Sequence, residues 1–307
     1  MIRIEGIAAF VATVENGSIS GAARQLRLSK SVVSERLAEL ERSLGGALLH
    51  RTTRKLSLTE DGTAFLPRAQ RITRDISEAA ADMAERRGTL SGPLRIAAPV
   101  TFARLHLGPA LYPFLKEHPE IQLTLDLDDR RIDVASSGHD AIIRHGTIDD
   151  TRLVAWTLAK SHRLLTASAA YLAEHGTPQT IEDLRHHRGI FYTNRGAADW
   201  RFRTSAGPVS VQARSMFGVN NGDMMRDAAI AGLGLAMLPA FIAGPAVKAG
   251  ELQVVALDVE PDEEFLYMAH AQGRNPSAKL RALREHLQSC FGNPPYWDPT
   301  KSSTRRL

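Results

Sequence analysis

Residues 30–36 carry hydroxyl, amine, carboxylate and guanidinium groups at the start of a predicted helix. This set is Lys30, Ser31, Ser34, Glu35 and Arg36. Hydroxyl and carboxylate groups can hydrogen-bond to base edges, and the two cations can bind bases or phosphates. Ser29 is a suitable N-cap, so these groups stand at a helix N-terminus. In a helix-turn-helix that end enters the major groove, and we therefore expect Ser29 and this set to read DNA.

The flanking residues predict the elements that position this chemistry. An apolar stripe with helical spacing leaves the polar residues on the opposite face; its members are Val32, Val33, Leu37, Leu40 and Leu44. A shorter helix precedes it, with Ser18 or Ser20 as its cap and with small alanines that allow close approach. Ser18 is a further candidate DNA contact. An apolar segment from Ile4 to Val14, ended by Asn16 and Gly17, predicts a third helix that closes the core.

Residues 48–58 alternate apolar and polar residues around a cationic tip, which predicts two short strands. The tip contains the candidate DNA contacts Arg51, Thr53, Arg54 and Lys55. We expect this wing to lie along the phosphate backbone. Residues 1–60 hold nine Lys/Arg and six Asp/Glu, so most of the chain's net charge of +4 is found there. The alternative, a small helical domain with a solvated charged face, is the weaker interpretation because it does not account for the wing.

A heptad pattern predicts a long helix over residues 61–89. Its apolar seam contains Phe65, Ala69, Ile72, Ile76, Ala79 and Met83. We expect two copies of the chain to pair along this seam, because a helix-turn-helix needs a dimer to read two half-sites. A helix packed on its own domain is the alternative that the pattern leaves open.

The first 60 residues resemble the winged helix-turn-helix of LysR-type transcriptional regulators, above all in AARQLRLSKSVVSERLAELERSLGGALLHRTTRKLSLTEDG. The segments LRIAAPVTFARLHLGPAL, DAIIRHG and AGLGLAMLP are similar to the effector-binding half of that family. The resemblance implies a cytoplasmic homodimer or homotetramer that binds double-stranded DNA and a small-molecule effector, with RNA polymerase as a further partner. Two residues depart from the family pattern: Gly21 replaces a better helix former, and Glu35 replaces a residue that is often polar or basic.

After the break at Ser91, Gly92 and Pro93, short apolar strands alternate with helical segments, which predicts an α/β domain with mostly parallel sheets. We expect an effector-binding domain over residues 90–293, with lobe one at 90–162 and 265–293 and lobe two at 163–264. This arrangement resembles the periplasmic-binding-protein architecture of the family's regulatory half. The tail at 294–307, with its Pro, Ser, Thr and Arg residues, is expected to be disordered.

Candidate ligand contacts lie where the predicted strands of this domain end. Thr101 and the backbone amide of Phe102 begin a helix, a place suited to a carboxylate or phosphate. Arg144 ends the AIIR strand and could bind a carboxylate through two hydrogen bonds. Asn194 ends a strand in the other lobe, and Asn220 precedes a helix. The set favours a small organic anion as effector.

Each of these candidates also has a structural interpretation. Thr101 could serve as a helix cap, and Asn220 with Asn221 could cap the helix that follows them. Arg144 could form an ion pair with Asp128, Asp129 or Asp140. The sequence alone does not decide between these roles.

Composition and motifs argue against several other classes of protein. The single cysteine excludes an intramolecular disulfide, and we expect neither a membrane span nor a signal peptide. The histidines lack zinc-type spacing, and no Ser, His and Asp grouping has an activating context. We therefore expect no catalysis, no metal and no cofactor. The competing class is a small-molecule-binding module or enzyme with an appended DNA-binding domain, and an enzyme would need a base held near a nucleophile or metal.

Overall fold

The computed structural model describes residues 1–51, 56–85, 89–130, 138–148, 150–211, 213–272 and 275–299. The chain divides into two compact units, Met1–Pro93 and Leu94–Leu307. The boundary between them directly follows Pro93.

The N-terminal unit is a helical core followed by a short hairpin and a long helix. Its elements are α1 (Ile4–Glu15), α2 (Ile19–Gln25), α3 (Lys30–Leu44), β1 (Leu49–Arg51), β2 (Leu56–Leu58) and α4 (Glu60–Glu85). Ser18 caps α2 by accepting a hydrogen bond from the Gly21 amide at 3.0 Å, and Ser29 caps α3 by accepting one from the Val32 amide at 3.3 Å. Both caps confirm the helix starts expected from the sequence.

The core of this unit forms where α1, α2 and α3 bury their apolar faces. Phe10, Val33 and Leu37 are fully buried in it. Gly21 lies where α2 meets the end of α1, and a Cβ added there would stand 2.6 Å from Asn16 Cβ. The close approach of the two segments therefore explains why a better helix former is absent at this position.

The apolar seam of α4 divides into two parts. Phe65 and Ala69 pack against the core of the N-terminal unit. Farther along the helix, Ile72, Ile76 and Met83 are 37%, 41% and 57% exposed. The C-terminal half of the seam therefore offers apolar side chains that the described residues of this chain do not cover.

The second unit contains two five-stranded sheets, which define its two lobes. Its strands are β3 (Gly92–Ala98), β4 (Ile121–Leu127), β5 (Ala141–Gly146), β6 (Leu153–Lys160), β7 (Arg163–Ala167), β8 (Arg188–Tyr192), β9 (Arg201–Thr204), β10 (Gly207–Ser210), β11 (Arg214–Val219), β12 (Leu235–Pro239), β13 (Gln253–Val254), β14 (Glu260–Pro261) and β15 (Phe265–Ala271). The sheet of lobe one has the order β4-β3-β5-β15-β6, and that of lobe two has the order β11-β8-β12-β7-β13. A small antiparallel sheet, β10-β9-β14, accompanies lobe two.

Helices connect these strands. In lobe one, α5 (Val100–Phe102) continues through a π-helical turn (Ala103–Leu107) into α6 (Gly108–Glu117), and α10 (Ala278–Phe291) closes the unit. Lobe two contains α7 (Ala169–His175), α8 (Gly222–Ile230) and α9 (Ala240–Lys248).

The sheets are mixed, which corrects the expectation of mostly parallel strands. β3 and β5 are parallel, and β8 is parallel to both β11 and β12. β15 runs antiparallel to β5 and β6, and β7 runs antiparallel to β12 and β13. The chain enters lobe two through β7 and returns to lobe one through β15, and neither strand follows a crossover helix of the kind that makes successive strands parallel.

Residues 294–298, here named the C-terminal strap, are packed against both lobes. Trp297 and Asp298 are 2% and 3% exposed. The Trp297 ring lies 4.5 Å from the His106 ring and 5.1 Å from the Phe291 ring, measured between centroids. The expectation of a disordered tail from Pro294 onward is therefore wrong for the strap, because its aromatic side chains fill an apolar site.

The strap also links the two lobes through polar contacts. The Tyr296 hydroxyl donates to His106 Nδ1 at 2.6 Å, and His106 Nε2 donates to the Phe241 carbonyl of α9 at 2.8 Å. Burial lowers the pKa of His106, which favours the neutral ring that this pattern requires. In α9, a Cβ on Gly244 would overlap the Trp297 carbonyl oxygen. Close contact between α9 and the strap therefore depends on glycine at this position.

Candidate nucleic-acid interface and ligand cleft

Four of the predicted DNA-reading residues stand at the N-terminal end of α3. Lys30, Ser31 and Glu35 are exposed and Ser34 is partly buried, while Val33 and Leu37 face the core. At about 100° per residue, Ser31, Ser34 and Glu35 share the side of the helix away from the core, whereas Lys30 lies about 20° from the direction of Leu37 and is exposed as the first residue of the helix. Their amine, hydroxyl and carboxylate groups could therefore reach one DNA groove together.

Arg36 does not share this side. It is partly buried and lies about 160° around the helix from Ser34. The sequence pattern placed it with the others because it is adjacent to Glu35, although successive helical residues point in different directions.

The capping serines stand at the N-terminal ends of α2 and α3. Ser29 Oγ lies 2.8 Å from Ser31 Oγ, so the two hydroxyl groups form a pair at the start of α3. No acidic residue occupies the first turn of α3. The partial positive charge of this helix end is therefore not offset locally, which favours an approaching phosphate.

The base of the wing is joined to α3 by a side chain. Glu41 Oε1 accepts hydrogen bonds from the Leu48 amide at 2.9 Å and the Leu49 amide at 3.2 Å. Arg51 ends β1, but its side chain lies outside the described part of the structure, as do the predicted DNA contacts Thr53, Arg54 and Lys55. Their contact with DNA stays a prediction.

In the second unit, Thr101 forms a hydrogen bond from lobe one to lobe two. Its side chain is buried, and Thr101 Oγ1 donates to Asp223 Oδ2 at 3.1 Å. Arg104 donates to Asp223 Oδ1 at 2.5 Å, and Arg226 donates to the same oxygen at 3.0 Å. A carboxylate from α8 is thus held by a hydroxyl and two guanidinium groups.

Asp129 forms a second connection between the lobes. Its Oδ1 accepts a hydrogen bond from the Val100 amide at 3.0 Å, and its Oδ2 accepts one from Asn221 at 3.5 Å. Asn194 donates to the Asp129 carbonyl at 3.0 Å. Burial raises the pKa of the Asp129 carboxyl, and the negative charges of Asp128 and Asp223 act in the same direction. The cleft between the lobes is therefore bridged by one aspartate from each side.

Two of the predicted ligand contacts bridge the cleft, and three are placed elsewhere. Thr101 and Asn194 make the contacts above, whereas Phe102 is fully buried among Phe241, Phe291 and Trp297. Asn220 is exposed before α8, and its neighbour Asn221 is the residue that caps this helix and contacts Asp129. Asn220 therefore does not cap α8, and its contact with a ligand stays a prediction, as does that of the Phe102 backbone amide.

Arg144 does not end its strand, because β5 continues to Gly146. It stands opposite Tyr267 of β15 in the sheet register. The adjacent His145 contacts Glu264, so Arg144 points to the other face of the sheet. Because β5 is longer than expected, His145 and not Arg144 is the residue of this strand that faces the other lobe.

A buried charged cluster lies where the chain crosses between the lobes. Arg195 donates two hydrogen bonds to Glu264, at 2.6 and 2.9 Å. Arg163 NH2 donates to Asp199 Oδ1 at 2.8 Å, and both residues are at most 5% exposed. His145 Nδ1 stands 3.2 Å from Glu264 Oε2. This crossing cluster joins a strand of lobe one, both crossings and a loop of lobe two.

The charges of the crossing cluster balance without a proton on His145. Two guanidinium groups face two carboxylates, so a protonated imidazole would leave a net positive charge in a buried site. Burial lowers the pKa of His145 to about 4, and the charges of Arg195 and Arg163 also lower it. His145 is therefore neutral at pH 7, and its single N–H faces one of two acceptors, the Ser161 carbonyl at 3.3 Å from Nε2 or Glu264 Oε2 at 3.2 Å from Nδ1.

Sequence reasoning missed Arg104, Asp223 and the crossing cluster. Arg104 is separated from Asp223 by more than a hundred residues, and neither residue belongs to a recognisable motif. For Arg163 a signal was available, because an arginine that begins an otherwise apolar strand needs a buried acidic partner.

Among the described residues, no cluster of three or more His, Cys, Asp and Glu side chains is arranged to hold a metal ion. No helix in the described part of the chain is both long and apolar enough to cross a membrane.

Comparisons with known proteins match both units. Residues 4–63 match the family described as bacterial regulatory helix-turn-helix protein, lysR family, and residues 87–291 match the LysR substrate binding domain. The chain is 32% identical to the transcriptional regulator CrgA of Neisseria meningitidis serogroup C, over 94% of this chain and 97% of CrgA. It is 30% identical to the transcriptional regulator DmlR of Escherichia coli, over 92% of each protein.

Solved structures agree with this assignment. The structure of CrgA from Neisseria meningitidis aligns with a TM-score of 0.57 at 31% identity, covering 92% of this chain and 98% of CrgA. The full-length structure of AphB, a virulence activator of Vibrio cholerae, aligns with a TM-score of 0.58 at 26% identity, covering 94% of this chain and 99% of AphB. With a helix-turn-helix and a two-lobed α/β domain in that order, this chain belongs to the LysR-type transcriptional regulators and is not an enzyme.

Proposed function

We propose that this LysR-type regulator reads DNA with the exposed side of α3 and is controlled by a small anionic effector that binds between the two lobes. One observation supports the DNA-reading role above all others. Ser31, Ser34 and Glu35 stand together at the capped N-terminal end of α3, on the side away from the core, and Lys30 is exposed beside them as the first residue of the helix. That end is the part of a recognition helix that reaches base edges.

Each group in this surface has a role in the proposal. Lys30 binds a phosphate or a guanine edge, and the serine hydroxyls bind phosphates or bases. Glu35 accepts a hydrogen bond from cytosine N4 and repels phosphate, so it narrows the range of operators that the protein accepts. The wing residues Arg51, Thr53, Arg54 and Lys55 hold the protein on the backbone, and Arg36, on another side of α3, binds a neighbouring phosphate.

The ligand class follows from the contacts of Asp223. Thr101 and Arg104 already hold a carboxylate in the cleft, so the same two groups can hold a carboxylate of an effector. Asn194 and Asn221 supply amide groups nearby and orient the rest of the molecule. Effector binding changes the separation of the lobes, which provides the differential affinity that a switch requires.

The remaining partners follow from α4 and from the family. Ile72, Ile76 and Met83 form an exposed apolar row on α4, which pairs with the same row of a second copy. A homodimer presents two α3 helices to two half-sites, and a dimer of dimers forms the homotetramer. The proposed place of action is the cytoplasm, on double-stranded DNA, with RNA polymerase as a further partner.

Replacing Lys30 by alanine is expected to weaken binding to the operator by about tenfold, or about 1.4 kcal/mol. Arg42 provides a matched control, because it lies on the exposed side of α3 but at the C-terminal end. Arg42→Ala removes the same charge and should change the affinity by less than about threefold. Binding is measured by gel shift at fixed salt with the full-length protein. Equal losses for the two variants would mean that the helix binds by general electrostatic attraction and not through its N-terminal end.

A further inference from the structure

Asp223 belongs to α8 of lobe two, and its carboxylate is bound by donors of lobe one. Its carboxylate accepts hydrogen bonds from Thr101 at 3.1 Å and from Arg104 at 2.5 Å, and both donors belong to lobe one. Arg226, one turn along α8, donates to the same oxygen as Arg104 at 3.0 Å. The carboxylate thus has the surroundings of a bound anion, although it belongs to the protein itself.

The three donors need an anion at this position. The Thr101 side chain is buried, so loss of its acceptor would leave a hydroxyl group without its partner from lobe two. Arg104 and Arg226 meet at Asp223 Oδ1, so without a carboxylate between them their positive charges would repel each other. Arg226 retains a second partner in Asp227, at 2.7 Å, but Asp227 is 58% exposed and lies on the solvent side of α8.

We propose that Asp223 is an internal ligand of the cleft, which occupies a carboxylate subsite formed by Thr101, Arg104 and Arg226 until an effector carboxylate displaces it. This inference rests on the proposed function, since it concerns the same cleft. It adds Arg226 to the donors of the carboxylate subsite, and it names a residue of the protein that competes with the effector for that subsite. An effector must carry a carboxylate to exchange with Asp223 without leaving Arg104 and the buried Thr101 hydroxyl without this acceptor.

Displacement of Asp223 also explains how effector binding alters the contact between the two lobes. While Asp223 is bound to Thr101 and Arg104, α8 is connected directly to the start of α5. Once an effector carboxylate takes those donors, Asp223 is released and the connection between α8 and α5 passes through the effector. Effector binding therefore exchanges a fixed contact between the lobes for one whose length depends on the ligand.

Chemical rescue tests the subsite, because acetate reproduces the group that Asp223→Ala removes. Thermal unfolding of the full-length variant is measured with and without sodium acetate, with sodium chloride at equal ionic strength as the reference. At an acetate concentration about ten times its Kd, we expect Tm to rise by about 3 to 6 °C. Acetamide, which has nearly the same shape but no charge, should have no effect.

Asp227→Ala is the matched control, because it removes a carboxylate from the same helix that also pairs with Arg226. Acetate should stabilise neither this variant nor the unsubstituted protein. Arg104→Ala added to Asp223→Ala should abolish the rescue, which locates the acetate at the subsite. If Asp223→Ala does not fold, Asp223→Ser leaves room for acetate and receives the same measurement.

The inference is overturned if acetate and acetamide stabilise Asp223→Ala equally, if acetate does not stabilise it, or if Asp227→Ala responds in the same way. None of these outcomes decides whether a metabolite alters DNA binding by the unsubstituted protein, which is the separate test of control by an effector. Conversely, selective rescue by acetate would establish the subsite even if no metabolite changed the operator complex.

Discussion

Replacing Trp297 by alanine should lower the free energy of unfolding of the regulatory unit by about 3–5 kcal/mol, the range for large aromatic side chains removed from a core. Trp297 is 2% exposed and contacts the rings of Phe102, His106 and Phe291. Its removal leaves a cavity between two lobes and also weakens the strap that connects them. Chemical denaturation monitored by the emission of Trp156 and Trp200 isolates this unit, because the N-terminal unit contains no tryptophan.

Tyr112→Ala is the control for this prediction, because Tyr112 is also a large aromatic residue of the regulatory unit but is 65% exposed. Its substitution should change the unfolding free energy by less than about 0.5 kcal/mol. If Trp297→Ala lowers the unfolding free energy by less than about 1 kcal/mol, residues 294–298 do not pack stably in solution, and the packing described for the strap is wrong.

Acidification should destabilise the regulatory unit between about pH 6.5 and pH 4 because His145 is buried in its neutral form. Burial lowers the pKa of His145 to about 4, whereas in the unfolded chain it titrates near its ordinary value of 6.5. Between these values the unfolded state binds a proton that the folded state does not. Stability is therefore greatest above pH 6.5, falls as the pH decreases and loses about 3 kcal/mol from this residue by pH 4.

His145→Gln should reduce this pH-dependent loss by a similar amount, because glutamine takes up no proton in that range. The comparison uses the change in unfolding free energy between pH 7 and pH 4, so a uniform effect of the substitution cancels. His186→Gln, at an exposed position, should leave the pH dependence as it is in the unsubstituted protein. An unchanged pH dependence in His145→Gln would show that His145 carries its charge within the crossing cluster.

The N-terminal unit could be predicted closely from the sequence because its signals are local. Ser18 and Ser29 are N-caps whose partners lie three residues away, and the apolar stripe of α3 repeats within one helix. The position of Arg36 around the helix was the exception. Its side follows from the angle of about 100° between successive helical residues, and not from its place next to Glu35 in the sequence.

The cleft was less predictable because its contacts join distant segments. Thr101 was found as the residue after a strand, but its partner Asp223 lies on another lobe and could not be inferred from spacing. Arg144 was chosen because the strand was expected to end there; two further residues in β5 bring His145 to the interlobe face instead.

The strap was missed for a different reason. Proline, serine, threonine and arginine dominate the last fourteen residues, and their composition suggested disorder. Tyr296 and Trp297 were the contrary signal. A tryptophan buries a large apolar area, so two adjacent aromatic residues in a polar tail indicate a docking segment.

Selection of operators from random-sequence DNA tests the central claim most directly, because the target genes need not be known. The full-length protein is mixed with a duplex library, bound DNA is recovered at physiological salt with competitor DNA, and the recovered sequences are read. A dimer that reads DNA with α3 should enrich an inverted repeat whose half-sites are about 10 bp apart, or a multiple of that distance. Glu35→Ala should relax the preference at one base pair of each half-site. Recovery of sequences with no shared pattern would contradict the account, since it would leave only salt-dependent attraction to phosphates.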